Sequence, residues 1–173
     1  GAADWSNGAL TNYLLARLMN DPSQDAYELA REWCERAYGP QAGPIIYKMY
    51  LDIEKAFTDF YTRNSPHGHY NTALMKGFYT PVYPLIERAM LDARIIPMTM
   101  AQRNRLELLE HNAMLLQWTL RKNKYLDVGY TSELTISDDQ VKAIATDDHP
   151  DLILHPNFLP APKQDPAKPA VKR

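Results

Sequence analysis

A single cysteine, Cys34, stands among 173 residues, so no disulfide can form within the chain and cysteine usage gives no redox-compartment signal. Glycine is scarce, at seven residues, which disfavours the tight turns of a turn-rich sheet. No stretch approaches the ~20 consecutive apolar residues of a membrane-spanning helix. Charge of one sign is also lacking: the formal net charge is -2 and the pI is near 6.2. That balance supplies no basic footprint for nucleic acid or anionic lipid, and neither is expected as a partner. A Gly-rich phosphate loop, Gly-x-Ser-x-Gly and His-Glu-x-x-His are all absent from the sequence, which removes the sequence signals for phosphate cradling, an elbow nucleophile and a zinc protease. An initiator Met and a signal peptide are lacking too. Gly1 reads as the remnant of a removed tag, so the chain is expected to start inside a longer protein, and its N-terminus leaves the compartment open.

What is present favours helices. Hydrophobic residues make up 45% and charged residues 23%, ordinary values for a globular domain. Seven Met and eleven Tyr stand out. A buried Tyr needs a partner for its hydroxyl, so several are expected at edges or facing another domain.

Periodicity and punctuation divide the chain. Leu10, Tyr13, Leu14 and Leu18 recur at three- and four-residue steps, predicting a helix over 9–19 that Asn20-Asp21-Pro22 ends. Asp25 and Glu28 read as a capping box for a second helix ending at Gly39-Pro40, with Ala26, Leu29, Ala30, Trp33 and Ala37 as its apolar stripe. Pro44 suits the first turn of a third helix reaching about Thr62, whose face is Ile46, Met49, Tyr50, Ile53, Phe57 and Phe60. Residues 63–71 read as a loop, followed by a short helical turn over 72–78 and a helix from Pro81 or Pro84 to Ala93. Thr99 and Gln102 form a second capping box for a long helix to Lys122, built on Leu106, Leu109, Ala113, Leu116 and Leu120. Ser137 with Gln140 caps a short helix through Ala145. The expectation is an all-α fold: an irregular bundle of five or six helices over 1–148, followed by an extended or disordered Pro-rich tail over 149–173.

Candidate chemistry is thin. His67 and His69 lie close in a loop, but a metal site needs three or four ligands, and no acidic or Cys partner is near in sequence. The cluster at 146–151, with three Asp and His149, lacks the Gly and the ligand spacing of a calcium loop. Cys34 sits mid-helix, where a small buried apolar role fits better than a nucleophile. Glu28, Glu32, Glu35, Glu107 and Glu110 read as solvated helix faces rather than a glycosidase pair. No catalytic residue, metal or cofactor is therefore assigned. Trp5, placed in a loop just ahead of the first helix, is the one candidate for binding: an indole can stack on a sugar ring or plug a domain interface.

The stretch from Ala9 to Phe57 also carries a resemblance. Its residues are Leu10, Tyr13, Leu14, Arg17, Leu18, Asp21, Pro22, Asp25, Trp33, Cys34, Tyr38, Gly39 and Pro40. In this pattern the chain resembles the domain of unknown function 4838 family of glycoside-hydrolase-like bacterial proteins, with a more distant likeness to α-glucuronidases. It departs in having Asn20 where many such sequences carry Trp. The resemblance implies a C-terminal helical accessory domain of a larger carbohydrate-active protein, packed beside an upstream (β/α)₈-type barrel that would hold the catalytic groups. It implies a polysaccharide or oligosaccharide as the parent's ligand, a secreted or periplasmic parent, and no catalysis by this segment alone. A free-standing helical interaction module with a Tyr- and Met-rich surface is the rival reading, and a small helical enzyme using His67 and His69 is a third.

Overall fold

Side-chain caps start three of the helices. Asp25 accepts from the backbone N–H of Tyr27 and Glu28; Thr99 and Gln102 satisfy each other's backbone at 3.3 and 2.9 Å; Ser137 and Gln140 do the same at 3.2 and 2.9 Å. Each cap fills donors that a helix start leaves without partners. The reciprocal half expected at Asp25 does not form, because the Glu28 carboxylate turns to Arg31 at 2.5 Å.

The computed structural model describes residues 5–64, 72–127 and 129–145. Among these there are six helices and no strand, which is the all-α bundle expected: α1 (Trp5–Asn20), α2 (Ala26–Tyr38), α3 (Gly43–Asn64), α4 (an unbroken run of Thr72–Leu74, Met75–Tyr79 and Thr80–Arg94), α5 (Met100–Lys122) and α6 (Asp138–Ala145). The Pro-rich tail, the pair His67 and His69, and the acidic cluster at 146–151 lie outside the described residues.

Two boundaries differ from expectation. Helix α1 starts at Trp5 rather than at 9, so Trp5 opens the helix instead of preceding it in a loop. Residues 72–94 form one rod rather than two pieces. Its Met75–Tyr79 segment is π-helical, with the Thr80 backbone N–H and hydroxyl both reaching the Met75 carbonyl. Pro81 and Pro84 follow at once. Neither can donate to the turn before it, so the chain adopts a wide turn ahead of them instead of breaking. Pro84 lies inside the helix and forfeits only the bond to the Thr80 carbonyl.

The main core joins five parts of the chain: Cys34 and Tyr38 of α2, Ile46 and Met49 of α3, Met90 and Ala93 of α4, Leu106 and Leu109 of α5, and Leu134 from the irregular segment before α6. Helices α2 and α3 approach most closely at Gly43, where an added Cβ would lie 2.6 Å from the Glu35 Cα. Gly39, at φ +92°, makes the reversal between them, a conformation that favours glycine. Leu115 and Trp118 of α5 hold Ile136 and Val141 in a smaller cluster, and the Trp118 indole and Lys122 ammonium both bond Asp138 at the start of α6.

Helix α1 is only partly covered. Leu10 is buried, while Leu14 and Leu18 are only partly so. Leu15 and Met19 are 54% and 85% exposed. The single buried face predicted from the α1 pattern is thus half covered among the described residues.

Candidate functional site

The turn after α1 is set by Asp21, whose carboxylate accepts from the Ser23 N–H at 3.1 Å and hydroxyl at 2.7 Å. Arg17 braces it, donating to Gln24 at 2.6 Å and to the Tyr13 hydroxyl at 3.1 Å. The same guanidinium lies 5.7 Å from the centre of the Tyr13 ring. At the other end of α2, Gln102 of α5 lies over Gly39, and Arg105 Nη1 donates to the Ala37 carbonyl at 3.3 Å. A cation at a helix C-terminus is favourably placed against the helix dipole. These braces hold α1, α2 and the first half of α5 apart around a cleft of about 600 Å³.

Three rings and two guanidiniums border that cleft: Tyr13 from α1, Trp33, Tyr38 and Arg36 from α2, and Arg105 from α5. The Trp33 and Tyr38 rings meet edge to face, with centroids 5.8 Å apart. Burial pushes the Tyr38 hydroxyl well above its ordinary pKa, so it stays protonated. Arg36 is occupied by Glu32. Among the described residues, Arg105 has no carboxylate partner and no carboxylate borders the cleft. Trp5 lies in the α1 helix one turn ahead of Ala9, which borders the cleft.

A second polar assembly is internal. Glu87 of α4 is 6% exposed. Its carboxylate accepts from the Tyr130 and Ser132 hydroxyls and from the backbone N–H of Glu133 and Leu134 at 2.8 and 3.2 Å. The Tyr83 hydroxyl joins through Ser132 at 3.0 Å. Burial works against the Glu87 charge, but the bonds from Ser132, Tyr130, Leu134 and Glu133 together hold it below the usual carboxylate range. The donors saturate this carboxylate from within, which suits a clamp on the 130–134 segment rather than acid–base work. Two of the eleven tyrosines thus satisfy their hydroxyls inside the domain rather than at an edge.

Other sequence candidates resolve individually. Cys34 is fully buried, and burial pushes its thiol up to about 12, so it is the small apolar core residue expected. Glu28 and Glu35 pair with Arg31 on an exposed helix face. Glu110 does not share that solvated fate: it is buried and takes a bidentate pair of bonds from Arg94 at 2.9 and 3.1 Å. Among the described residues, no three His, Cys, Asp or Glu gather to hold a metal, and no helix is long and apolar enough to cross a membrane.

No curated protein and no solved structure matches the chain. The model of the family described as Domain of unknown function (DUF4838) matches residues 2–52, which span α1, α2 and the start of α3. That segment, which supplies two of the three walls of the cleft, is what the chain shares with the DUF4838 family.

Proposed function

We propose that the chain is a helical accessory domain of a larger carbohydrate-active, glycoside-hydrolase-like protein, which docks α1 against an upstream barrel and performs no catalysis itself. The observation that carries this reading is the half-covered α1. Leu15 and Met19, four residues apart on one helix, stand 54% and 85% exposed, and both fall inside the matched segment 2–52. Apolar side chains four apart share one side of a helix, and a docked domain would remove them from water. On the same reading Trp5, at the start of α1, lies beside the barrel and is the residue offered to a sugar subsite.

The test uses both the parent and the isolated chain. Leu15→Glu with Met19→Glu is expected to leave the melt of the isolated chain within about 0.5 kcal/mol, as exposed substitutions do. In the parent it should uncouple the helical domain from the barrel, seen as two calorimetric transitions in place of one. A parent without a barrel, or an unaltered parent melt, overturns the proposal. So does glycosidase turnover by the isolated chain that a point change within it removes. A second reading, the free-standing interaction module, draws on Ile95 and Met100, 81% and 76% exposed around the α4–α5 turn. Partner binding lost on Ile95→Glu but retained on the α1 changes would favour it.

A further inference from the structure

We infer that the cleft between α1, α2 and α5 is a binding site for a small ring compound that carries a carboxylate. A space of about 600 Å³ falls within the ordinary range for small-molecule sites, which pair apolar walls with a few placed polar groups. The walls here are the rings of Tyr13, Trp33 and Tyr38, which offer a flat or ring-shaped body large apolar contact. The placed polar groups are Asn12, Arg36 and Arg105.

Charge selects the rest of the ligand. Arg36 already holds Glu32, whereas Arg105 spends only Nη1, on the Ala37 carbonyl. Its Nε and Nη2 donors make no hydrogen bond or ion pair among the described residues. That leaves part of a planar fork, fixed at one corner by a helix end, beside a cleft that no carboxylate borders among the described residues. A guanidinium fork matches a carboxylate in shape and charge. A phosphate would be a poorer fit, since phosphate sites gather several backbone N–H groups at a helix start or nest, and here α2 turns its carbonyl end to Arg105. Asn12, across the cleft on α1, adds a donor and an acceptor for a ring hydroxyl or heteroatom.

This inference stands apart from the docking role, because it rests on the cleft and not on Leu15 and Met19; the double variant proposed above tests docking alone. The experiment titrates the full 173-residue chain with benzoate, a flat acid, and with quinate, a hydroxylated saturated one, against the neutral benzamide and inositol. Binding is followed by calorimetry and by amide chemical shifts. At least one acid is expected to saturate at or below about a millimolar, with its neutral counterpart at least about tenfold weaker, and the one that saturates tells a flat from a hydroxylated occupant. Arg105→Ala should weaken that acid by about tenfold or more, the effect of losing a hydrogen bond to a charged group. Arg105→Lys should fall between, and Arg88→Ala, which removes an exposed charge elsewhere, should change nothing. Absence of saturation by either acid, equal affinity for the neutral compounds, or an Arg105→Ala variant that binds normally overturns the inference.

Discussion

Replacing Glu87 probes how an irregular segment is held to a helical bundle. In Glu87→Gln the shape is kept and the charge removed. The amide oxygen can still accept from Ser132, Glu133 and Leu134, but each bond then loses its charge assistance. A hydrogen bond to a charged group contributes about 1.5–3 kcal/mol, against about 0.5–1.5 for a neutral one. Three bonds weakened by about 1 kcal/mol each, partly offset by no longer burying a charge, give a net loss of about 1–3 kcal/mol at pH 7. Glu87→Ala is worse: it orphans the Glu133 N–H and leaves the Leu134 N–H only its bond to the Ser132 hydroxyl at 3.1 Å, and the expected loss is about 3–5 kcal/mol. Because the folded carboxyl sits below its ordinary range, the stabilisation is fully present above the unfolded glutamate value and is lost as pH falls through the folded one. Urea melts at a series of pH values should therefore show the wild type and Glu87→Gln converging as the pH drops below about 4.3. A gap that stays constant from neutral to acid pH, or a Glu87→Gln variant as stable as the wild type at pH 7, would refute this account of the clamp.

Two further expectations concern packing. Gly43→Ala brings a methyl within 2.6 Å of the Glu35 Cα and 2.8 Å of its N; backbone cannot move aside as a flexible side chain would, so a loss of about 3 kcal/mol is expected, or about 6–12 °C of Tm in a chain of this size. A melt within about 2 °C of wild type would contradict the close α2–α3 approach. Cys34, buried and with its thiol pushed up to about 12, should resist iodoacetamide in the native protein at pH 8 and react on unfolding in urea. Comparable alkylation rates in the two states would show that the thiolate is accessible after all.

Much of the helical layout was legible because its signals are local. Thr99 with Gln102 and Ser137 with Gln140 lie three residues apart, and the repeat from Leu106 to Leu120 lies within one helix. The parts that were not legible depend on distant partners. Tyr130 and Leu134 lie 43 and 47 residues from the Glu87 they bond, in a segment with no helical or strand period to announce burial. Arg105 and Ala37 are 68 residues apart, so the brace that shapes the cleft had no sequence trace. Glu110 looked solvated because Arg103, Arg105 and Glu107 give its helix a mixed-charge character; its partner, Arg94, comes from another helix. Pro81 and Pro84 gave a true signal of disturbance, but the disturbance is a wide turn rather than a break.

That wide turn has a geometric consequence. In a regular helix a residue four places on is rotated by about 40°, so side chains set four apart spiral off the side they began on. The broader coil over 75–79 rotates less per residue and cancels the drift. Leu74, Phe78 and Val82 can then run as one straight rail to Phe60, and Met75, Tyr79 and Tyr83 as another to Leu120. One rod is thereby riveted to two neighbours along its length, at the cost of a single irregular coil.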